Sequence, residues 1–98
     1  MTKKVRLALL TAADIIYAGN WTQGKDSTKD GSRYCMEGAI AAALGEVGYQ
    51  SFHECSDAVR RVLSARLSET LSPAIWNDKR GRTAKEVGLV LYEAASQR

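Results

Sequence analysis

Trp76-Asn77-Asp78-Lys79-Arg80-Gly81-Arg82-Thr83-Ala84-Lys85-Glu86-Val87 carries a loop and a helix start in one pass. Thr83 followed by Glu86 is a capping box, in which each side chain satisfies a backbone N–H that the first helical turn leaves open. The spacing predicts a helix from Thr83 with Val87, Val90, Leu91 and Ala94 facing inward. Ahead of it lies a polar loop with Trp76, an Asn-Asp pair and the cations Lys79, Arg80 and Arg82. A solvated connector has no use for a tryptophan, so this loop is expected to pack onto the body of the protein. Asp78 is expected to pair with Arg82 or to cap a turn.

Three more helices follow from periodicity. Val5, Leu9, Ala12 and Ile16 fall at i, i+4, i+7 and i+11, with Ala8 and Ile15 widening the stripe and Gly19-Asn20 ending it. A second helix begins near Cys35, buries Met36, Ile40, Ala43, Leu44 and Val47, and stops at Gly48. Its alanines and Gly38 permit close helix approach, which makes it the expected central helix. A third opens with a capping box from Ser51 to Glu54 and places Phe52, Cys55, Val59, Val62, Leu63 and Leu67 on one face. Ser72-Pro73 closes it and is placed to start one short turn of its own. Between Gly19 and Tyr34 run sixteen residues without a helix pattern, long for a compact domain. Asp30-Gly31 is a hairpin signal, so a short ribbon based on Trp21 and Tyr34 is an option there. The expected fold is therefore all-α, one domain over residues 1–98, a compact bundle of four helices with a short β-hairpin as the option in the 19–34 loop.

Ninety-eight residues support one core without metal or disulfide staples. The net charge of +3 is spread evenly: residues 1–49 carry six cations and five anions, residues 50–98 eight and six. Neither half is a basic tail. The two cysteines, Cys35 and Cys55, are too few for a disulfide framework and read as free thiols in a reducing compartment. The apolar run after Lys3-Lys4 is interrupted by Asp14 and reads as a helix, not a leader. No stretch reaches the length of a membrane span, so the expected setting is the cytoplasm, with no membrane partner.

Three constellations could carry chemistry. Cys35 at a helix start, where unpaired N–H groups lower a thiol pKa, would be the nucleophile of a cysteine-dependent hydrolase or transferase. His53, the only histidine, lies four residues from Asp57 on one helix face and would be its base. The bland reading, a buried cysteine and a solvent-facing histidine, is preferred. Cys35, His53 and Cys55 match no common metal spacing, and no metal or cofactor is expected. Arg60, Arg61 and Arg66, with Lys79, Arg80, Arg82 and Lys85, offer basic surfaces over 60–66 and 79–85 for nucleic acid. Glu54 and Asp57 stand where a recognition helix would meet bases and phosphates, which disfavours that use. Trp21 and Trp76, with Gln23, Cys35, Asn77, Asp78 and Arg82, could line a pocket for a small ligand or a protein segment.

The pattern Trp21-Thr22-Gln23-Gly24, Cys35-Met36-Glu37-Gly38-Ala39-Ile40 and Trp76-Asn77-Asp78 with Gly81-Arg82-Thr83-Ala84-Lys85-Glu86-Val87 resembles an uncharacterised family of small bacterial and bacteriophage proteins. The resemblance runs through nearly the whole chain, and the Trp-Asn-Asp to Gly-Arg-Thr segment is its most specific part. It implies an outline and an accessory or host-interaction role, with no activity attached. The expected function is a small non-enzymatic binding or interaction module whose partner is a protein or small ligand, and whose apolar stripes leave room for a homodimer.

Overall fold

The computed structural model describes residues 1–45, 49–68 and 72–97, except the side chain of Leu67. Within these residues the chain forms five helices: α1 (Lys3–Tyr17), α2 (Met36–Leu44), α3 (Tyr49–Leu67), α4 (Pro73–Asn77) and α5 (Ala84–Ala95). The expected bundle of four thus gains a fifth, short helix at the place where Ser72-Pro73 predicts a turn. The Ser72 hydroxyl accepts from the Ile75 N–H, and Pro73 occupies the first turn, where a missing N–H costs nothing.

The helix at Thr83 forms as its capping box requires. The Thr83 hydroxyl accepts from the Glu86 N–H at 3.2 Å, and the Glu86 carboxylate accepts from the Thr83 N–H at 3.0 Å. Val87, Val90, Leu91 and Ala94 are buried beneath it. On α1, Val5, Leu9, Ala12 and Ile16 are buried as their spacing predicts, joined by Ala8 and Ala13. Those alanines admit α5 closely, and α1 also meets α2 and α3. The central helix is therefore α1 and not the expected α2. With nine residues, α2 is too short to span the bundle.

Two boundaries differ from expectation. The capping box from Ser51 to Glu54 does not open α3, which already begins at Tyr49. Glu54 instead accepts from the Gln50 side chain one turn earlier, at 3.3 Å. The predicted end of the second helix at Val47 and Gly48 lies outside the described residues; within them α2 stops at Gly45, which has φ +71°.

The 19–34 segment is not a two-stranded ribbon. Among the described residues it holds single bridges, Trp21 parallel to Tyr34 and Ser27 antiparallel to the same Tyr34. Asp30-Gly31 does turn the chain: the Gly31 N–H donates to the Thr28 carbonyl at 2.9 Å, with Gly31 at φ +71°. Trp21 and Tyr34 pack against the core from the base of this loop.

Candidate functional site

Asn77, the last residue of α4, is fully buried and joins three distant parts of the chain. Its Oδ1 accepts from the Trp21 indole N–H at 2.7 Å and from the Met36 backbone N–H at 3.1 Å. Its Nδ2 donates to the Thr22 carbonyl at 3.2 Å and to Asp78 Oδ1 at 3.0 Å. One primary amide thus ties the 19–34 loop, the start of α2 and the end of α4 together. Every polar atom of its side chain is used, as burial demands.

Gln23 and Asp78 extend the connection towards solvent. The Gln23 amide donates to the Asn77 and Lys79 carbonyls at 2.9 and 3.0 Å. Asp78 Oδ1 accepts from the Gly24 N–H at 2.9 Å. The expected pairing of Asp78 with Arg82 is absent, because that carboxylate is turned to the Gly24 backbone. Arg82 lies over the Trp76 ring, its guanidinium carbon 3.9 Å from the ring centroid. It also donates to the Trp76 carbonyl at 3.0 Å and pairs with Glu86 at 3.1 Å. Burial opposes ionisation of Glu86, yet the Thr83 N–H and hydroxyl, followed by Arg82, hold its pKa below the usual value.

Cys35 is the N-cap of α2 and not a first-turn residue. Its sulfur accepts from the Gly38 N–H at 3.3 Å and lies 3.8 Å from Asp26 Oδ1. Burial pushes the thiol pKa up and outweighs the Gly38 N–H, so the expected lowering is reversed. His53 is exposed and packs edge-on against Tyr49 and Phe52. Asp57 pairs with Arg60 at 3.2 Å, so it does not orient His53. Cys55 is fully buried and faces the Val5 carbonyl from the core. The three residues of the hydrolase reading are thus engaged in three separate environments. No cluster of three or more His, Cys, Asp or Glu side chains among the described residues could hold a metal ion.

Sequence reasoning missed Asp26, Thr22 and the Met36 N–H, all of which contribute backbone groups. The Asp26 carbonyl accepts from the Cys35 N–H at 3.1 Å and lies directly against Gly38. A Cβ on Gly38 would overlap that oxygen and stand 2.8 Å from its carbon. The glycine therefore admits a loop backbone, and not a neighbouring helix as its place on α2 implied. At the outer tip, Asp30 accepts from the Thr28 and Ser32 hydroxyls at 2.7 Å each. Those hydroxyls, Thr28 first, hold its carboxyl at a pKa of about 2.

Trp21, Gln23, Cys35, Asn77 and Asp78 lie together, across 54 to 56 positions of sequence in the contacts between the two loops, while Trp76 and Arg82 stack on each other. Most of their polar groups face one another. The concave surface they leave open is a pocket of about 180 Å³ between Gly24, Asp26, Cys35, Ala74 and Asp78. A larger one of about 520 Å³ lies on the other side of Asp26, against Tyr34, Glu37 and Phe52.

Residues 1–97 match the model of a family of unknown function, DUF6197, and the chain belongs to that family. No curated protein and no solved structure matches it. No helix among the described residues is long and apolar enough to cross a membrane.

Proposed function

We propose that the chain is a small non-enzymatic binding module whose recognition surface is the outer edge of the 19–34 loop with the adjoining start of α2. The observation that carries this reading is the fixing of the loop from behind by Asn77. Ordering a loop costs roughly 1–2 kcal/mol per residue in backbone entropy. Here that cost is met by hydrogen bonds to Asn77, Asp78 and the Cys35 N–H, while Gln23, Lys25, Lys29, Ser32 and Arg33 stay exposed. A loop held rigid yet kept at the surface is preorganised for contact, since its ordering entropy is already spent before a partner arrives. The likeness of its motifs to small bacterial and phage proteins fits an accessory or host-interaction role.

The nucleic-acid reading gains less support. Arg60, Arg66 and Arg82 are paired with Asp57, Glu93 and Glu86, and Arg61 donates to Gln97 at 2.8 Å. Phosphate would have to displace those contacts. The hydrolase reading would need an ionised Cys35, which its burial opposes.

A photo-crosslinking residue at position 29, compared with one at the exposed Leu7 of α1, tests the proposal in cells. The expected result is a discrete crosslinked partner from position 29 that position 7 does not give, and that disappears in an Asn77→Ala background. Identical products from both positions, or none from position 29, would remove the loop as the recognition surface.

A further inference from the structure

Helix α1 carries a second stripe, on the face turned away from the core. Lys3, Leu7, Leu10, Asp14 and Tyr17 are all exposed, and their spacings alternate four and three. At one turn per 3.6 residues they fall within about 80° of arc and form one narrow seam. Leu7 is 65% exposed, Leu10 37% and Tyr17 46%. Apolar residues spaced alternately by four and three are the pattern by which one helix packs along another. Helix α5 only flanks this seam: the Tyr92 ring stands edge-on to Tyr17, and its hydroxyl donates to Asp14.

The charges at the two ends of the seam single out what covers it. Lys3 stands in the first turn of α1, where unpaired N–H groups make the helix end positive, and Asp14 in the last, where carbonyls make it negative. Each charge therefore opposes the dipole of its own helix. Lys3 has no ion-pair partner among the described residues, and the Tyr92 hydroxyl occupies only one oxygen of Asp14. A second copy of α1 laid antiparallel, with a two-fold axis midway between Leu7 and Leu10, answers both. Leu7 then faces Leu10 of the second copy, and Lys3 faces its Asp14. The symmetry repeats each contact, as a self-complementary interface requires. Parallel pairing would set lysine against lysine and aspartate against aspartate. Sliding the antiparallel helices by one heptad would set Asp14 against Leu10, or Lys3 against Leu7. Only one register matches apolar with apolar and cation with anion.

We infer that the exposed face of α1 is an interface between two copies of this chain, packed antiparallel through Leu7 and Leu10 and closed by two Lys3–Asp14 ion pairs. A seam roughly 20 Å long belongs to the small, transient class of interfaces, so the dimer forms as concentration rises. It is separate from the loop surface proposed above, and neither reading rests on the other.

Sedimentation velocity of the full chain, from micromolar to about millimolar concentration, tests the assignment. The average mass is expected to rise towards that of a dimer, and added salt to weaken the association. Lys3→Glu and Asp14→Lys each replace a charge that opposes the helix dipole by one that suits it, so both variants should keep their fold. Each alone sets like charges at both ends of the seam and should weaken association about tenfold or more. An equal mixture of the two variants restores both ion pairs and should recover the dimer. Leu7→Gln, at an exposed helical position, should keep the melting temperature and lose the dimer. A wild-type chain that stays monomeric, a dimer tightened by salt, single variants that associate like the wild type, or a mixture that fails to recover would each overturn the assignment.

Discussion

The Trp21 indole N–H donates to Asn77 Oδ1 at 2.7 Å, and the same oxygen takes the Met36 N–H from the first turn of α2. The bond spans 56 positions of sequence and closes the long loop onto the one element, α4, that is too short to hold itself in place. Helices of five residues are not stable alone, because the nucleation cost exceeds what one turn of hydrogen bonds returns. Loop and helix therefore stabilise each other through this amide.

Asn77→Ala is expected to be among the costliest polar substitutions in the chain. It leaves the Trp21 and Met36 donors and the Thr22 carbonyl without their partner, and each buried orphan costs about 1–3 kcal/mol. A loss of about 3–5 kcal/mol corresponds to a melting-temperature drop on the order of 15–30 °C in a domain of this size. Asn77→Asp keeps the acceptor but sets a carboxylate oxygen against the Thr22 carbonyl and Asp78. It should be no more stable than the alanine variant. A thermal melt in which Asn77→Asp matches the wild type would refute the role given to Nδ2.

Gly38 and Gly88 make a matched pair of helical glycines with opposite expected outcomes. Alanine gains about 1 kcal/mol of helix propensity at either position. At Gly38 the new Cβ meets the Asp26 backbone, which cannot swing aside without releasing the Cys35 N–H. At Gly88 it meets the Tyr17 side chain, 2.9 Å from Cδ2 and 3.2 Å from Cβ. The half-exposed ring, edge-on to Tyr92, is the far end of a side chain and can give way. The Cβ contact needs a shift of only a few tenths of an ångström. Gly38→Ala should lose about 2 kcal/mol or more despite the propensity gain, and Gly88→Ala should stay within about 1 kcal/mol of wild type, in urea denaturation.

Both cysteines should resist alkylation until the chain unfolds. Burial raises both thiol pKa values, that of Cys55 to about 11. A raised folded-state pKa means that the fold favours the neutral thiol. This contribution is fully present below the unfolded thiol value of about 8.5 and is lost as pH rises from there towards about 11. Stability should therefore fall through that alkaline window, and Cys55→Ala should flatten the fall while costing cavity energy. Labelling followed by mass spectrometry decides the matter for Cys35: rapid modification of the native protein near neutral pH would reinstate a reactive thiol.

What local chemistry controls was legible in the sequence, and what distant backbone groups control was not. Thr83 and Glu86 satisfy each other within one turn, so their capping box could be read directly and is present. The same motif at Ser51 and Glu54 was overridden, because Tyr49 and Gln50 also accept helical geometry and Gln50 binds Glu54 from within the helix. Trp21, Gln23, Asn77 and Asp78 could be picked out as unusual residues for loops. Their arrangement could not, since Asp78 looks towards Arg82 in sequence but binds the Gly24 N–H, 54 positions away. Gly38 was the one available signal of the Asp26 contact, and its place in an alanine-rich helix pointed to helix packing instead.

Arg82 offers the most discriminating single substitution around Trp76. Its guanidinium stacks on the ring at 3.9 Å, donates through Nε to the Trp76 carbonyl at 3.0 Å and pairs with Glu86 through Nη1 at 3.1 Å. The pair with the half-exposed Glu86 is worth about 1 kcal/mol or less. The stacking contributes about 0.5–2 kcal/mol, and the charge-assisted bond to the carbonyl about 1.5–3 kcal/mol. Arg82→Ala should therefore cost about 2–6 kcal/mol, while Glu86→Gln costs less than half as much. Arg82→Lys keeps the charge but lacks a planar group that can stack and donate sideways at once, so it should recover only a minor part of the loss. If lysine restored wild-type stability, simple charge pairing with Glu86 would be the dominant contribution, and the stacked geometry over Trp76 would be incidental.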